Sequence, residues 1–395
     1  MNKFTLKQIG GALSLAVLAV AIAAPASAQR IGATSGVGFA DEKTGAVEGP
    51  KAIAGKTSYE TPMPFFKDLK PWDPNYKPPR TPDGKPDLQG TWSTASLTTM
   101  SRGNAGRSGA AIDTLVIPND QIVKYINAAG YTQNRDESQK RTDPNAGVFT
   151  DKNTDAGYNA FWIDPGSEFT KVNGEWRSSY ITDPPNGKIP LNRGGQAAGG
   201  ARMNSVRTVN NTGPEIRGYG DRCLISFGNQ GGPPITNAMY NNNVQLVQTP
   251  DFVLLDIEMN HDARIIRIAK PGETEKPMPS NIHQWFGDSV GHWEGDKLVV
   301  TTRNVHPMQA RGRIPLSDQG FVTEKFSRVS PQEIHYEFEV NDPVNYSQVW
   351  KGESTFRQSK EKIFEYACHE GNYALPGILR GMAEGRDTAI DKDGE

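Results

Sequence analysis

The stretch NNVQLVQTPDFVLLDIEMNHDARIIRIA, residues 242–269, decides the fold of this chain. Apolar and polar side chains alternate along it, and the alternation is interrupted by Thr-Pro-Asp at 249–251 and by His-Asp at 261–262. Period-two alternation that is rich in Val, Ile and Phe and broken by turn residues is typical of β-strands joined by hairpins. The stretch therefore predicts three sequential antiparallel strands.

Three more hairpins are predicted downstream, in residues 289–305, 320–342 and 347–370, with turns at 294–296, 330–331 and 359–360. Residues 240–370 would then hold nine strands. A meander of this length removes its free edges by curling and closing on itself. We expect a mainly β fold, in which an antiparallel meander closes into a lipocalin-like barrel or forms a strongly curved sheet.

The rest of the chain is expected to be irregular, because Gly and Pro number 41 and 28 and both interrupt regular elements. Short helices are predicted over residues 119–129 and 374–384. The expected organisation is an extended Pro/Gly-rich lead-in over 29–80, one β-rich domain over 81–385 with long loops at 131–220, and a flexible tail over 386–395.

The first residues have the layout of a secretory signal peptide. Lys3 and Lys7 precede an apolar run at 9–24, and Ala26-Ser27-Ala28 supplies small residues before a cleavage point. We expect cleavage after Ala28 and a periplasmic location. A retained membrane anchor is the alternative, although the apolar run is short for a membrane span.

The composition excludes several classes of protein. Of the 395 residues, 36% are hydrophobic and 22% are charged, and the mean hydropathy is −0.60. These values do not fit a coiled coil, a helical bundle or a polytopic membrane protein. The formal net charge of −2, without a dense basic run, argues against nucleic-acid binding.

The two cysteines, Cys223 and Cys368, are expected to form a disulfide, because a lone pair of thiols usually pairs in an oxidising compartment. The bond would tie the middle of the chain to its end. The alternative is a nucleophilic Cys368 activated by His369. It is disfavoured because adjacent residues on a strand point to opposite faces.

Histidine–acid pairs near predicted turns are the main clue to function. Histidine exchanges protons near neutral pH, and a neighbouring carboxylate fixes its tautomer. If the hairpin ends converge at one rim of the barrel, these side chains gather over an apolar interior. The predicted catalytic residues are His261 and His369 as bases, Asp262, Glu370 and Glu258 as orienting partners, and Arg264 as an anion stabiliser. The predicted substrate-binding residues are Trp285, Asp288, His292, Trp293, Asn372 and Tyr373.

The same residues allow a structural interpretation. Asp and Asn at turns commonly bond their own backbone, and aromatic residues in strands mostly fill cores. His335 alternates with Glu333, Glu337 and Glu339, which predicts a solvated face, and His306 precedes a proline as a loop residue does.

No nucleotide cofactor is expected. The glycine-rich strings at 194–200 and 228–232 precede no predicted helix and contain no Lys-Ser/Thr pair, and the chain has no G-x-S-x-G elbow of the α/β-hydrolases. A divalent metal stays an alternative. His261, His369 and an acid would have to meet through the fold to bind it.

Several strings resemble a large family of exported bacterial proteins for which no activity is established. They are RTPDGKPDLQGTW at 80–92, GDRCL at 220–224, NNNVQLVQTPDFVLLDIEMNHDARIIRI at 241–268, WFGDSVGHWEGDKLVVTTRNV at 285–305, EKFSRV at 324–329 and FEYACHEGNYALPGIL at 364–379. The resemblance implies that these strings are family signatures and that Cys223 and Cys368 occur together. Separately, Gly90-Thr91-Trp92 is similar to the G-x-W of lipocalin-like barrels, although this chain is roughly twice as long as a lipocalin.

Two functions are therefore predicted. The first is an exported enzyme that acts on a small hydrophobic or aromatic molecule by His–carboxylate acid–base chemistry, of hydrolase or lyase type. The alternative is a lipocalin-like periplasmic binding protein for an apolar ligand, in which the same polar residues form turns. A third interpretation has the Pro-rich lead-in docking an outer-membrane partner.

Overall fold

The computed structural model describes residues 39–40, 47–48, 71–103, 111–128, 166–197, 213–214, 217–226, 228–270, 272, 276–310, 314–360 and 362–383. The predicted signal peptide, most of the lead-in, much of the predicted loop region and the C-terminal tail lie outside these residues. In the part of the chain that is described, no helix is long and apolar enough to cross a membrane.

The strands are short in the N-terminal half and long in the C-terminal half. They are β1 (Phe39–Ala40), β2 (Val47–Glu48), β3 (Gly90–Ser93), β4 (Val116–Ile117), β5 (Thr170–Val172), β6 (Glu175–Arg177), β7 (Ile181–Asp183), β8 (Asn243–Gln248), β9 (Phe252–Ile257), β10 (Asp262–Ile268), β11 (Asp288–Glu294), β12 (Lys297–Arg303), β13 (Phe321–Ser330), β14 (Glu333–Asn341) and β15 (Trp350–Gln358). Helices in the described part of the chain include α1 (Ile122–Ala128), α2 (Pro307–Ala310) and α3 (Ala374–Ala383), and residues 193–197 are also helical.

Nine strands, β3 and β8 to β15, form a closed barrel, which confirms the predicted mainly β fold class. Neighbouring strands are antiparallel except β10 and β11, which run parallel with Ile266 opposite Ser289. A closed ring with an odd number of strands cannot alternate direction all the way round. At least one neighbouring pair must therefore be parallel, and the chain between β10 and β11 makes that crossover.

Three of the predicted turns are confirmed. Residues 249–251, 295–296 and 331–332 connect β8 to β9, β11 to β12 and β13 to β14, each within one residue of its predicted turn. The turn predicted at 261–262 lies at the end of the β9–β10 connection, since β10 begins at Asp262. The fourth hairpin was predicted to turn at 359–360, and that prediction is wrong, because residues 362–373 are described and form no strand. Both edges of β15 are already occupied, by β14 on one side and by β3 and β7 on the other.

The ring closes at a narrow seam between β3 and β15. Only Arg357 opposite Ser93 and Gln358 opposite Trp92 pair there. The first half of the same β15 edge pairs with β7, at Lys351 and Gly352. The strand that completes the barrel thus comes from the Gly90-Thr91-Trp92 string, which lies far from the meander in the chain.

The barrel interior is filled by its own side chains. Phe326, Tyr336 and Phe356 pack together, with ring centroids 5.1 Å apart for Phe326–Tyr336 and for Tyr336–Phe356. The buried core also contains Trp92 and Trp350. Aromatic clusters of this kind contribute both buried area and specific ring contacts to stability.

A buried loop, residues 229–235, enters the barrel and is called the plug below. Its Ile235 belongs to the same core as the barrel aromatics. The plug contains Pro233 and Pro234, which have no N–H group, so its remaining polar backbone atoms need partners from the barrel.

A small second sheet, in the order β4-β6-β5, packs on the outside of β15. The Thr355 hydroxyl of β15 donates to the carbonyl of Lys171 at 2.7 Å, and Arg357 donates to the carbonyl of Phe169 at 2.9 Å. β5 and β6 are joined by Asn173-Gly174, both with positive φ, 49° and 83°. This is the backbone of a two-residue hairpin turn of type I′.

The predicted disulfide between Cys223 and Cys368 is present, with Cα atoms 5.8 Å apart. Cys223 is buried, and Cys368 is half-buried. The bond holds the segment that leads into α3 against the turn at 218–224.

Candidate active site

The predicted His–acid pairs lie at both ends of the barrel. His261 directly precedes β10, whereas His292 and Glu294 lie in the last half of β11. Because β10 and β11 run parallel, the start of one and the end of the other are at opposite ends. The structure therefore does not bring the His261 and His292 pairs to one rim.

Arg264 lies inside the barrel, where its guanidinium is fully engaged. It pairs with the buried carboxylate of Glu324, and it donates to Thr302 at 2.8 Å, to Ser289 at 3.1 Å and to the carbonyl of Gly231 at 3.2 Å. These bonds occupy the donors that a bound anion would need. Its predicted role as an anion stabiliser stays a prediction, and the contacts observed are with the protein.

Residues around the Arg264–Glu324 pair also bind the plug. The Ile235 N–H donates to the Tyr336 hydroxyl at 2.7 Å, and that hydroxyl donates to Glu324 at 2.7 Å. Gln309 donates to the carbonyl of Gly232 at 2.8 Å. Burial, and next the charge of Glu324, raise the pKa of Tyr336 far above its ordinary value, so the phenol stays neutral.

Asp262 is buried at the barrel end that contains the β9–β10 connection. It accepts from the Ser226 N–H at 2.7 Å and from the Asn260 amide at 3.0 Å. Burial raises the pKa of Asp262 above its ordinary value, although these hydrogen bonds oppose the shift. His261 is exposed with a φ of 51°, and Glu258 is buried and accepts from the Asn243 N–H at 3.2 Å.

The C-terminal candidates lie beside the disulfide. The Asn372 amide donates to the carbonyl of Asp221 at 2.7 Å, and its oxygen accepts from the Leu375 N–H at 3.3 Å, as a helix cap does. His369, Glu370 and Tyr373 are exposed. Asn372 thus holds this segment in place, and the catalytic assignment of His369 and Glu370 stays a prediction.

The remaining substrate-binding candidates have separate surroundings. Trp285 stacks on His306, with ring centroids 4.1 Å apart. Asp288 is buried and bonds Arg267 at 2.7 Å and the Met278 N–H at 2.6 Å, so it fixes the loop before β11. His292 and Glu294 form a half-exposed pair at 3.0 Å, and Trp293 packs against the core.

A hollow on the outside of the barrel, not predicted from the sequence, is called the outer cleft. It lies where the second sheet and Trp72 meet β13, β14 and β15. Its lining residues are Trp72, Lys171, Val172, Asn173, Gly174, Val329, Glu333, His335 and Thr355. The predicted solvated face at His335 is wrong there, since the His335 side chain is only 12% exposed and Glu333 is buried.

His335 and Glu353 form a histidine–carboxylate dyad beside this cleft. His335 Nε2 is 3.3 Å from one Glu353 oxygen, and the other accepts from Arg177 Nε at 2.6 Å. Burial alone would raise the pKa of Glu353. The hydrogen bonds from His335 and Arg177, together with the Arg177 charge, outweigh it and hold that pKa below its ordinary value.

A second buried carboxyl, Glu168, lies beside Arg357, which is opposite Glu333 in the barrel sheet, and it does not line the cleft. One oxygen pairs with Arg357, whereas the other is buried without a hydrogen-bond partner among the described residues. Burial raises the pKa of Glu168, and the charge of Glu333 adds to the shift, while Arg357 opposes it. A histidine–carboxylate pair with a shifted carboxyl pKa, such as His335 and Glu353, is typical of sites that move protons.

The sequence did not predict the group of His335, Glu353 and Arg177, because packing between two separate sheets brings these residues together. Arg177 and Glu353 lie in strands that are far apart in the chain. The signal that was available is the outward register of β15, where Glu353, Thr355 and Arg357 alternate with the inward Trp350 and Phe356. A row of outward-facing residues whose charges complement those of another segment indicates that a second layer covers the strand.

In the described part of the chain, no three His, Cys, Asp or Glu side chains form a group that could hold a metal ion. Comparison with protein-family models gives no match, and no curated protein matches the chain.

Proposed function

We propose that the protein is an exported enzyme that acts on a small hydrophobic or aromatic molecule by acid–base chemistry, and that the outer cleft is its active site. The observation that carries this proposal is the His335–Glu353 dyad, 3.3 Å apart, at the edge of a hollow that Trp72 also lines. Exposed Trp72 supplies an aromatic surface, and the largely buried dyad supplies a base.

The chemistry follows from the hydrogen bonds. Glu353, held by Arg177, accepts from Nε2 of His335 and leaves Nδ1 with a lone pair. In a hydrolysis, Nδ1 takes a proton from a water molecule while the water oxygen attacks the substrate carbonyl. The leaving group then departs with the bonding electrons. His335 then returns that proton to the leaving group, so the step needs no second acid.

The test uses the signal-cleaved protein and small aromatic esters, starting with 4-nitrophenyl acetate and measuring released 4-nitrophenolate. His335→Asn should lower kcat/KM by about a hundredfold or more, the usual loss of a general base. His283→Asn is the matched control, because His283 bonds the exposed Asp318 at 3.2 Å and does not line the cleft. That variant should keep its turnover.

Two results would redirect the assignment. Full turnover in His335→Asn, with loss in His261→Ala or His369→Ala, would move the active site to the barrel end. A ligand that is bound and returned unchanged would favour the alternative, a periplasmic binding protein. The barrel fold is compatible with that alternative, although the plug and aromatic core fill the interior that a lipocalin-like protein would use.

A further inference from the structure

The outer cleft has a polar side and an aromatic side. Trp72 is 44% exposed, so one part of its indole is open to a ligand. Glu333 is 8% exposed, and its carboxylate accepts from the Ser330 hydroxyl at 3.2 Å. The hollow has a volume of about 20 Å³, room for about one water-sized group, so the charged group of a ligand would enter it while the ring stays outside, against exposed Trp72.

The cations near the cleft are already engaged. Arg357 pairs with Glu168, and Arg177 pairs with Glu353 and Glu175. The Lys171 ammonium lies 5.0 Å from the centre of the Trp176 ring, which is a cation–π distance. Glu333, by contrast, has a hydroxyl and not a cation as its hydrogen-bond donor among the described residues.

We propose that the outer cleft binds a small primary ammonium ion with a planar aromatic body, its ammonium group on Glu333 and its ring against Trp72. An ammonium offers three donors and a full charge, and its hydrogen bonds to carboxylates are stronger than neutral ones. This inference names the substrate class of the enzyme proposed above and rests on that proposal for the role of the cleft.

The experiment compares three probes of similar shape, benzylamine, benzyl alcohol and benzoate, by calorimetric titration of the signal-cleaved protein at neutral pH. Benzylamine, as its ammonium ion, should bind at least about tenfold more tightly than the other two, the ratio that one charge-assisted contact provides. Glu333→Gln should remove that preference. Trp72→Ala should weaken all three probes together.

The matched control is Glu339→Gln, a glutamate on β14 that pairs with Lys351 at 3.0 Å and does not line the cleft. It should keep the affinity for benzylamine. Equal binding of benzoate, or unchanged benzylamine affinity in Glu333→Gln, overturns the inference. Because Trp72 is 44% exposed, Trp72→Ala tests the cleft even where Glu333→Gln does not fold.

The two proposals fail differently. Ammonium-selective binding without turnover of any probe would leave this inference standing and remove the enzyme. Turnover that depends on His335 but shows no ammonium preference would do the reverse.

Discussion

Arg264 and Glu324 are a buried ion pair, with side chains 1% and 0% exposed. Such pairs seldom stabilise a fold relative to apolar residues of the same volume. Here the pair has a further task, since Arg264 and the Tyr336–Glu324 bond supply partners for the Gly231 carbonyl and the Ile235 N–H. The barrel therefore contains a buried ion pair because the backbone of the plug needs these hydrogen-bond partners.

Replacing Arg264 with Met should lower the free energy of unfolding by about 3–5 kcal/mol, because Glu324 is then left buried without its counter-charge. Denaturant unfolding measures this loss. Lys297→Met is the control. It breaks the exposed Lys297–Glu337 pair, 2.9 Å long, and should cost at most about 1 kcal/mol. Equal losses in the two variants would contradict this account of the interior.

Glu353 makes the stability of the fold depend on pH. Its pKa is lower in the folded protein, so its contribution to stability is present above the unfolded pKa and is lost as pH falls through the folded pKa. Glu353→Gln should therefore be less stable at neutral pH and lose less stability on acidification. Melting temperatures across that pH range measure the difference, and parallel pH profiles for the two proteins would refute it.

At the residue scale, the sequence predicted the disulfide but not the cleft. Two cysteines have few alternatives to pairing in an oxidising compartment, so the prediction of the disulfide followed from the expected export. His335 alternates with glutamates as a solvated residue would, and its burial depends on Arg177 and the second sheet. Side-chain alternation does not reveal a covering layer that comes from another part of the chain.

At the element scale, the β5–β6 turn both ends a hairpin and lines the cleft. Gly174 has a φ of +83°, and a Cβ there would be 3.6 Å from the Trp72 Cβ. The space therefore accepts a methyl group, whereas the backbone conformation disfavours it. A methyl group at Gly174 would thus be in ordinary van der Waals contact with Trp72.

Gly174→Ala should lower the free energy of unfolding by about 1–2 kcal/mol, the cost of a left-handed L-residue, and should weaken benzylamine binding as the turn shifts. Gly84→Ala is the control, because Gly84 has a φ of +79° and open space around its Cβ position. It should show a similar loss of stability with normal binding. Normal benzylamine binding in Gly174→Ala would show that the turn does not contribute to the binding site.

The hairpins were predictable where short turns join two strands that alternate. The prediction after β15 failed because alternation continues through residues 362–368, although neither edge of β15 is free to pair with them. The β10–β11 crossover was missed for a related reason. Local sequence patterns predict individual strands. The order of the strands, and the parallel pair that an odd number of strands requires, are properties of the closed ring.

At the scale of the molecule, the Cys223–Cys368 bond spans 145 positions. Loops of that length gain most from a cross-link in the chain-entropy account. Cys223→Ser combined with Cys368→Ser should lower the free energy of unfolding by about 2–5 kcal/mol, measured by denaturant titration. A reductant should destabilise the native protein and leave the double variant unaffected. An unchanged midpoint on reduction would show that packing alone holds the C-terminal segment.

The narrow seam between β3 and β15 also determines when folding can finish. Its two pairs join Trp92 and Ser93 to Arg357 and Gln358, so barrel closure depends on strand pairs that are more distant in sequence than any others in the described barrel. Folding slows as such contacts dominate, because the entropy of the intervening loop is lost before any pairing offsets it. Until Gln358 has been synthesised, the sheet is an open ribbon with unpaired edges. The risk of aggregation is therefore greatest in the interval before the last barrel strand arrives.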